Sequence, residues 1–357
     1  MKKFVGIFVV ILVTMGMGCF LYWNSVGIIS PKETRQQPRQ LGGLERYDFD
    51  SLRTRYVNEE FGSGDFEILD GIEAVELRRK NLGYRTREFG FETRQIRYKS
   101  EDKWITGMIN YPEGCFVTEG ILRCTQDDVA IIIMIRGYAD KEGYYSGFGS
   151  WRVADELTKA GFVTISLDFL GYGGSDSESL DMMEARFEKV IGVLDLVGVV
   201  RKLDFVDKEK IGIWAHSNGG QIAMSILEIT GAFYPTVLWA PMTNPFPKSI
   251  LDTASELADG GEVVVLALRE FEGKYDARRY AIENYYSWIN GPIVIHQGSA
   301  DVWCKVEWQE DLQSRLRELG KDVELRVYEG DDHNLSKNWG RVVKLDIEFF
   351  KKNLFVN

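Results

Sequence analysis

Cysteine and histidine are scarce in this chain: its 357 positions hold four cysteines and three histidines. Cys19, Cys115, Cys124 and Cys304 show no paired zinc-type spacing, and His216, His296 and His333 are too scattered to share a helical face. No motif for a structural zinc or a two-histidine metal site remains, so neither a metal nor another cofactor is expected. A basic block is missing as well. The formal net charge is −11, and nucleic-acid binders draw most of their affinity from clustered Lys and Arg, so nucleic acid is not expected as a partner. No internal repeat is visible. What is present, 45% hydrophobic and 27% charged residues, suits one large α/β domain with smaller attachments rather than a disordered chain.

One apolar run stands apart from the rest. Lys2 and Lys3 precede residues 4–23, which carry no charge and have about the length a helix needs to cross a bilayer. A cleaved signal peptide has a shorter apolar stretch, whereas Phe20, Leu21, Tyr22 and Trp23 prolong this one and supply an aromatic belt. Residues 1–23 are expected as an uncleaved transmembrane anchor, with residues 24–43, rich in Gln, Pro, Gly and charge, as a solvated linker. The stretch ending at Cys19 resembles a bacterial lipobox, with Gly16 where an aliphatic residue is usual, so lipidation is the alternative. Flanking charge nearly balances, Lys2 and Lys3 against Lys32, Arg35 and Arg39. Cys115 and Cys124 tip the orientation. They bracket a short segment suited to a hairpin disulfide, or stand as two free thiols near a turn; a bridge would put the folded domain outside the cytoplasmic membrane.

Residues 44–93 are polar and mixed, with LDGIEAVELRRKN reading as a short amphipathic helix, and are expected as an N-terminal appendage. TRQIRYKSEDKWITGMINYP then alternates like two hairpin strands around a Ser-Glu-Asp-Lys turn. From there on, apolar strands (VAIIIMIR, FVTISLDF, KIGIWA, PTVLWA, PIVIHQG, VELRVYEG) alternate with helical stretches, including residues 180–203 and 305–319. Such alternation predicts a mostly parallel sheet with helices on both faces over residues 94–357. Residues 241–291 interrupt the rhythm and read as a short lid, because insertions after strand ends sit where ligands bind in open α/β sheets. Its aromatics, Phe271, Tyr275, Tyr280, Tyr285, Tyr286 and Trp288, taken singly, are expected to pack in the core. Met182 and Met183 read as apolar filling.

The chemistry concentrates at KIGIWAHSNGG, where a strand runs into Ser217 and a helical stretch follows. A nucleophile elbow places its serine on such a turn and needs small residues two before and two after it; Ala215 and Gly219 meet that need. Of three histidines, His216 adjoins the serine on the elbow and would point away from it, and His296 ends a buried strand as a packing residue. His333, in the loop EGDDHNL after the last strand, is left as the general base. Asp301, directly after PIVIHQG, is placed to hold the other imidazole nitrogen, while Asp331 and Asp332 read as turn formers. The chain order Ser, Asp, His is that of the α/β-hydrolases. Backbone N–H groups of Asn218 and of Tyr138, the latter after the Gly137 turn, are the expected oxyanion donors. Arg136 stands where a histidine is usual before that glycine.

HSNGG around Ser217, LDFLGYGGSD, HQGSAD and YEGDDHN together resemble the catalytic domain of the prolyl oligopeptidase family. The resemblance implies a serine hydrolase working through a covalent acyl-enzyme on a small peptide or ester, a serine-type peptidase first, a carboxylesterase second. Asp168 resembles a family turn residue. The large peptidases of that family carry a β-propeller that filters substrates by size, for which this chain has no room. The reading from another class is a non-catalytic, membrane-tethered binding protein.

Overall fold

The computed structural model describes residues 43–62, 64–69, 90–125, 129–204, 206–255 and 259–355. The expected anchor, Cys19, the linker and most of the LDGIEAVELRRKN segment lie outside them. Among the described residues no helix is long and apolar enough to cross a membrane. Gly43–Asn357 forms one compact unit.

A nine-stranded sheet organises it, in the order β1-β2-β3-β7-β6-β8-β9-β10-β11. β1 (Phe66–Leu69), β2 (Phe91–Ser100) and β3 (Lys103–Pro112) run antiparallel, with the predicted turn at Glu101 and Asp102. β4 (Cys115–Thr118) and β5 (Ile121–Cys124) form a separate ribbon, and Cys115 and Cys124, directly opposite each other, are disulfide-bonded. β6 (Ile131–Ile135), β7 (Val163–Leu167), β8 (Ile211–His216), β9 (Thr236–Trp239), β10 (Ile293–Gly298) and β11 (Val323–Tyr328) are parallel to their neighbours in the sheet. β7 also pairs antiparallel with β3.

Period-two alternation in these strands separates two apolar layers. Ile131, Ile133, Ile135, Ile213 and Ala215 face one side, with α3 (Met182–Val200) and α4 (Asn218–Thr230) over them. Ile132, Met134, Trp214 and Val237 face the other, under α2 (Trp151–Lys159) and α8 (Trp339–Leu354). Burial on both faces explains why these strands read as continuous apolar runs.

Residues 44–93 are not a separate appendage where they are described. α1 (Phe49–Val57) is capped by Asp48, whose carboxylate accepts from Ser51 N at 2.8 Å, and its Phe49 and Leu52 join the main core. Arg53 donates to the Glu228 carbonyl at 2.9 Å, and the boundary expected at residue 94 falls inside β2. Residues 241–291 hold α5 (Lys248–Ala254), α6 (Glu262–Glu272) and three short 3-10 turns. Phe271, Tyr280, Tyr285 and Tyr286 are buried there in the core, as their single-residue reading has it. α7 (Val306–Glu318) packs on β11.

Candidate active site

Strand order decides where the site lies. The chain leaves β6 for β7 on one side and later returns to β8 on the other, so a crevice opens beyond the carboxyl ends of β6 and β8. Ser217 follows β8 directly, with φ 55° and ψ −124°. That left-handed backbone costs a non-glycine residue on the order of 1–3 kcal/mol and is held by its surroundings. Ser217 N donates to the Trp239 carbonyl at 3.0 Å, and the Ser217 carbonyl accepts from Gly220 N and Met242 N, each at 2.8 Å. The need for small neighbours is concrete: a Cβ on Gly219 would stand 2.3 Å from the Ile135 carbonyl oxygen, and one on Gly137 would stand 2.7 Å from Ser217 Cβ. The loop after β6 is thereby pressed against the serine.

Across the crevice, the loops after β10 and β11 carry Asp301 and His333. His333 Nδ1 and Asp301 Oδ2 are 2.8 Å apart. Asp301 Oδ1 also accepts from Trp303 N at 2.8 Å and Cys304 N at 3.1 Å, and Gln297 Nε2 donates to Oδ2 at 3.0 Å. Burial works against the carboxylate's charge, yet the bonds from His333 and from the two backbone N–H groups outweigh it, leaving Asp301 below its ordinary pKa. Asp301 can therefore orient an imidazole and stabilise its cation without taking the proton. Asp331 and Asp332 accept backbone N–H groups of their own turn, Asp331 from Lys337 and Asn338, Asp332 from Asn334 and Ser336.

Ser217, His333, Asn218 and Tyr138 line a single cavity of about 580 Å³, together with Met242, Ser249 and Thr253 from the inserted segment. Among the described residues, the backbone N–H groups of Asn218 and Tyr138 have no hydrogen-bond partner. The Tyr138 side chain is exposed and its hydroxyl donates to Asp140 at 3.0 Å. No hydrogen bond joins Ser217 Oγ to His333 among the described residues; such bonds often tighten only in the substrate complex. Arg136 braces the β6 loop. Its guanidinium donates to the Gly137 carbonyl at 2.8 Å and the Asp168 carbonyl at 2.9 Å, and lies 4.2 Å from the Tyr172 ring centroid. Asp168 is buried and accepts from Thr106, Ser146 and Tyr144, a turn-holding role.

His216 departs from its expectation. It turns into the cavity rather than away, its ring centroid 4.7 Å from that of His333 and its Nε2 3.1 Å from the His333 carbonyl oxygen. Burial first, and then the neighbouring imidazole, push its pKa down to about 4, so it is neutral near pH 7. Arg186 and Lys189, which line the cavity, and Gln221, which bonds to Arg186, are further residues that motif reading passes over. The spacing Ser217 to Gln221, one helical turn, was the available signal. Among the described residues, Asp301, Cys304 and His333 bring three potential metal ligands together. Burial pushes the Cys304 thiol well up, keeping it protonated and a poor ligand.

A family model described as the prolyl oligopeptidase family matches residues 150–355. The chain belongs to the prolyl oligopeptidase family. That family is one of serine hydrolases, and the fold is the α/β-hydrolase fold. Among solved structures it is similar to the acylaminoacyl peptidase of Pyrococcus horikoshii, with 19% identity and TM-score 0.57 over 80% of this chain and 44% of that one. It is also similar to acetyl xylan esterase 1 of Thermoanaerobacterium sp., with 15% identity and TM-score 0.58 over 85% of this chain and 93% of that one. An Escherichia coli protein described as an uncharacterized 31.7 kDa protein in the traX-finO intergenic region is 37% identical over 68 residues, 19% of this chain and 23% of that one. The matches thus span about a quarter of this curated relative and under half of the peptidase. For this member of the family, activity and substrate rest on the cavity's own residues.

Proposed function

We propose that the chain hydrolyses an acyl substrate through a covalent intermediate on Ser217, with His333 as general base, Asp301 as its orienting carboxylate, and Asn218 and Tyr138 N–H groups as oxyanion donors. The observation that carries this is the 2.8 Å bond between Asp301 and His333 beside a serine on a left-handed elbow. With Nδ1 engaged, His333 Nε2 is the nitrogen available to the serine. Ser217 Oγ attacks the carbonyl carbon, its proton passes to Nε2, and the tetrahedral oxyanion takes the two N–H bonds. Collapse breaks the bond to the leaving amine or alcohol, which receives that proton; a water activated by the same imidazole then releases the acid and restores Ser217.

Family membership favours a peptidase. The carboxylesterase reading has its own support, since the acetyl xylan esterase matches along 93% of its length, with no propeller to account for. Tethering by residues 1–23 and an extracytoplasmic domain belong to the same proposal. The disulfide between Cys115 and Cys124 supports the latter, because such bonds persist in oxidising compartments.

The test takes the full-length protein in detergent and measures labelling by a serine-reactive fluorophosphonate, then turnover of aryl esters and of blocked and free peptide amides, with Ser217→Ala beside it. Amide turnover lost in the variant supports the peptidase, and ester turnover alone the carboxylesterase. Absence of both labelling and turnover sinks the hydrolase reading in favour of a binding protein.

A further inference from the structure

Among the described residues, two cations in the catalytic cavity have no carboxylate within ion-pair distance. Arg186 and Lys189 lie three residues apart on α3, hence on one helical face, and both line the cavity that holds Ser217 and His333. Arg186 donates to Gln221 Oε1 and, at 3.2 Å, to Ser249 Oγ, two neutral acceptors. Gln221 is itself fixed, its Nε2 donating to the Asn244 carbonyl at 3.0 Å. The Lys189 amine has no hydrogen bond or ion pair among the described residues. Of the carboxylates nearby, Glu178 pairs with Lys141 at 2.6 Å while still attracting Lys189, Glu188 pairs with Lys103, Glu184 pairs with Arg46 at 3.3 Å, and Asp140, on the wall of the same cavity, accepts from Tyr138 OH at 3.0 Å.

Both cations are half-buried, and a half-buried cation without an ion pair is costly, two close together more so. Burial pushes Lys189 down to about 8, with Arg186 adding repulsion, and burial alone pushes Arg186 down to about 10. An anion entering the cavity would relieve both. Gln221, which touches Arg186, lies one turn along α4 from Ser217, about 5–6 Å between such positions. A second cleft, of about 690 Å³, shares Arg186 and Lys189 and continues past Met182, Ile250 and Ala254, giving an apolar wall for the chain that carries the anion.

We propose that Arg186 and Lys189 form an anion subsite of this cavity, selecting substrates that carry a carboxylate about one helical turn from the carbonyl attacked by Ser217. The planar guanidinium suits a carboxylate's two oxygens, and the ammonium adds a point charge. This rests on Ser217 being the nucleophile.

The full-length protein is assayed with a matched pair, 4-nitrophenyl hexanoate and the mono-4-nitrophenyl ester of adipic acid, which differ in a terminal methyl against a carboxylate. The readout is the ratio of kcat/KM, anionic over neutral, within each protein. Wild type is expected to favour the adipoyl ester by about tenfold or more, the scale of one charge-assisted hydrogen bond. Lys189→Glu and Arg186→Met should each cut that ratio at least about tenfold, and Lys189→Met serves if the reversed charge does not fold. A wild-type ratio of one or less, or one unchanged by these variants, overturns the subsite. Fluorophosphonate labelling and the thermal shift given by adipate separate the two ideas. Labelling at Ser217 with a flat ratio removes the subsite alone. Without labelling, an adipate-induced rise in Tm that Lys189→Glu abolishes keeps the anion site and removes the nucleophile reading, whereas no rise removes the subsite too.

Discussion

Two histidine–carboxylate pairs sit among the described residues, and they differ in what can reach them. His333 and Asp301 meet at 2.8 Å at the rim of the cavity, the imidazole side chain 17% exposed. His296 and Asp346 stand 3.1 Å apart with neither exposed at all. The facing atoms of the inner pair, His296 Nε2 and Asp346 Oδ1, make no hydrogen bond among the described residues, and the two side chains are held from their other ends: Tyr328 OH lies 2.7 Å from His296 Nδ1, and Trp239 Nε1 donates to Asp346 Oδ2 at 2.9 Å. Electrostatics part the same way. Asp301, bonded to two backbone N–H groups and His333, falls below its ordinary pKa, while burial lifts Asp346 above it despite His296 and Trp239. The same two residue types thus make a carboxylate bonded to an accessible imidazole at a strand end and a polar knot inside the core. Neighbouring N–H donors and an open face, not the pairing itself, separate them.

The comparison breaks most sharply at its two carboxylates. Asp301→Asn is expected to lower kcat by about four orders of magnitude, the scale set by the corresponding carboxylate of serine proteases, with Tm little changed. If its rate stays near wild type, the rim pair does no orienting. Asp346→Asn should do the reverse, destabilising by about 1–3 kcal/mol in urea unfolding while kcat per folded molecule stays close to wild type. A large loss of kcat there would erase the distinction.

A third buried carboxyl extends the series. Glu228, on α4, has no partner for either oxygen among the described residues, and burial lifts it well above 4.5. The folded chain keeps this proton where the unfolded chain releases it, so wild-type stability falls as pH rises above about 4.5. Glu228→Leu should stabilise near pH 7 by on the order of 1 kcal/mol, and by less at pH 4. An equal effect at both would show the carboxyl to be ionised or paired. His216→Phe removes the contact to the His333 carbonyl. As a positioning change it should lower kcat by roughly tenfold with KM nearly constant; a pure rise in KM would instead make His216 a substrate contact.

Much of the fold was legible because its signals are local. Apolar runs such as IIIMI and VTISL can be buried only as strands covered on both faces, and the Ala215-x-Ser217-x-Gly219 turn tolerates no bulk at its ends. Asp301 and His333 could be singled out by their loops. The orientation of His216 was not legible, since a residue beside a nucleophile elbow can turn either way until the β11 loop arrives to meet it. Residues 44–69 read as an attachment because their polar surface dominates in sequence; Leu44, Tyr47, Phe49, Leu52, Phe61 and Ile68 enter the core, and the partners that bury them lie far along the chain. Arg186 and Lys189 carry no motif. Their lack of carboxylate partners emerges only when Glu178, Glu184 and Glu188 pair elsewhere.

By itself, the sequence determined the α/β-hydrolase layering, the elbow serine and the chain order of the candidate acid and base, because strand burial, turn sterics and loop position are properties of short segments. Tertiary structure decided which histidine meets which carboxylate, which pair stays dry, and which cations share a cavity with Ser217 without an ion pair among the described residues. Those depend on side chains tens to hundreds of residues apart sharing a few ångströms, and on how much water is left between them.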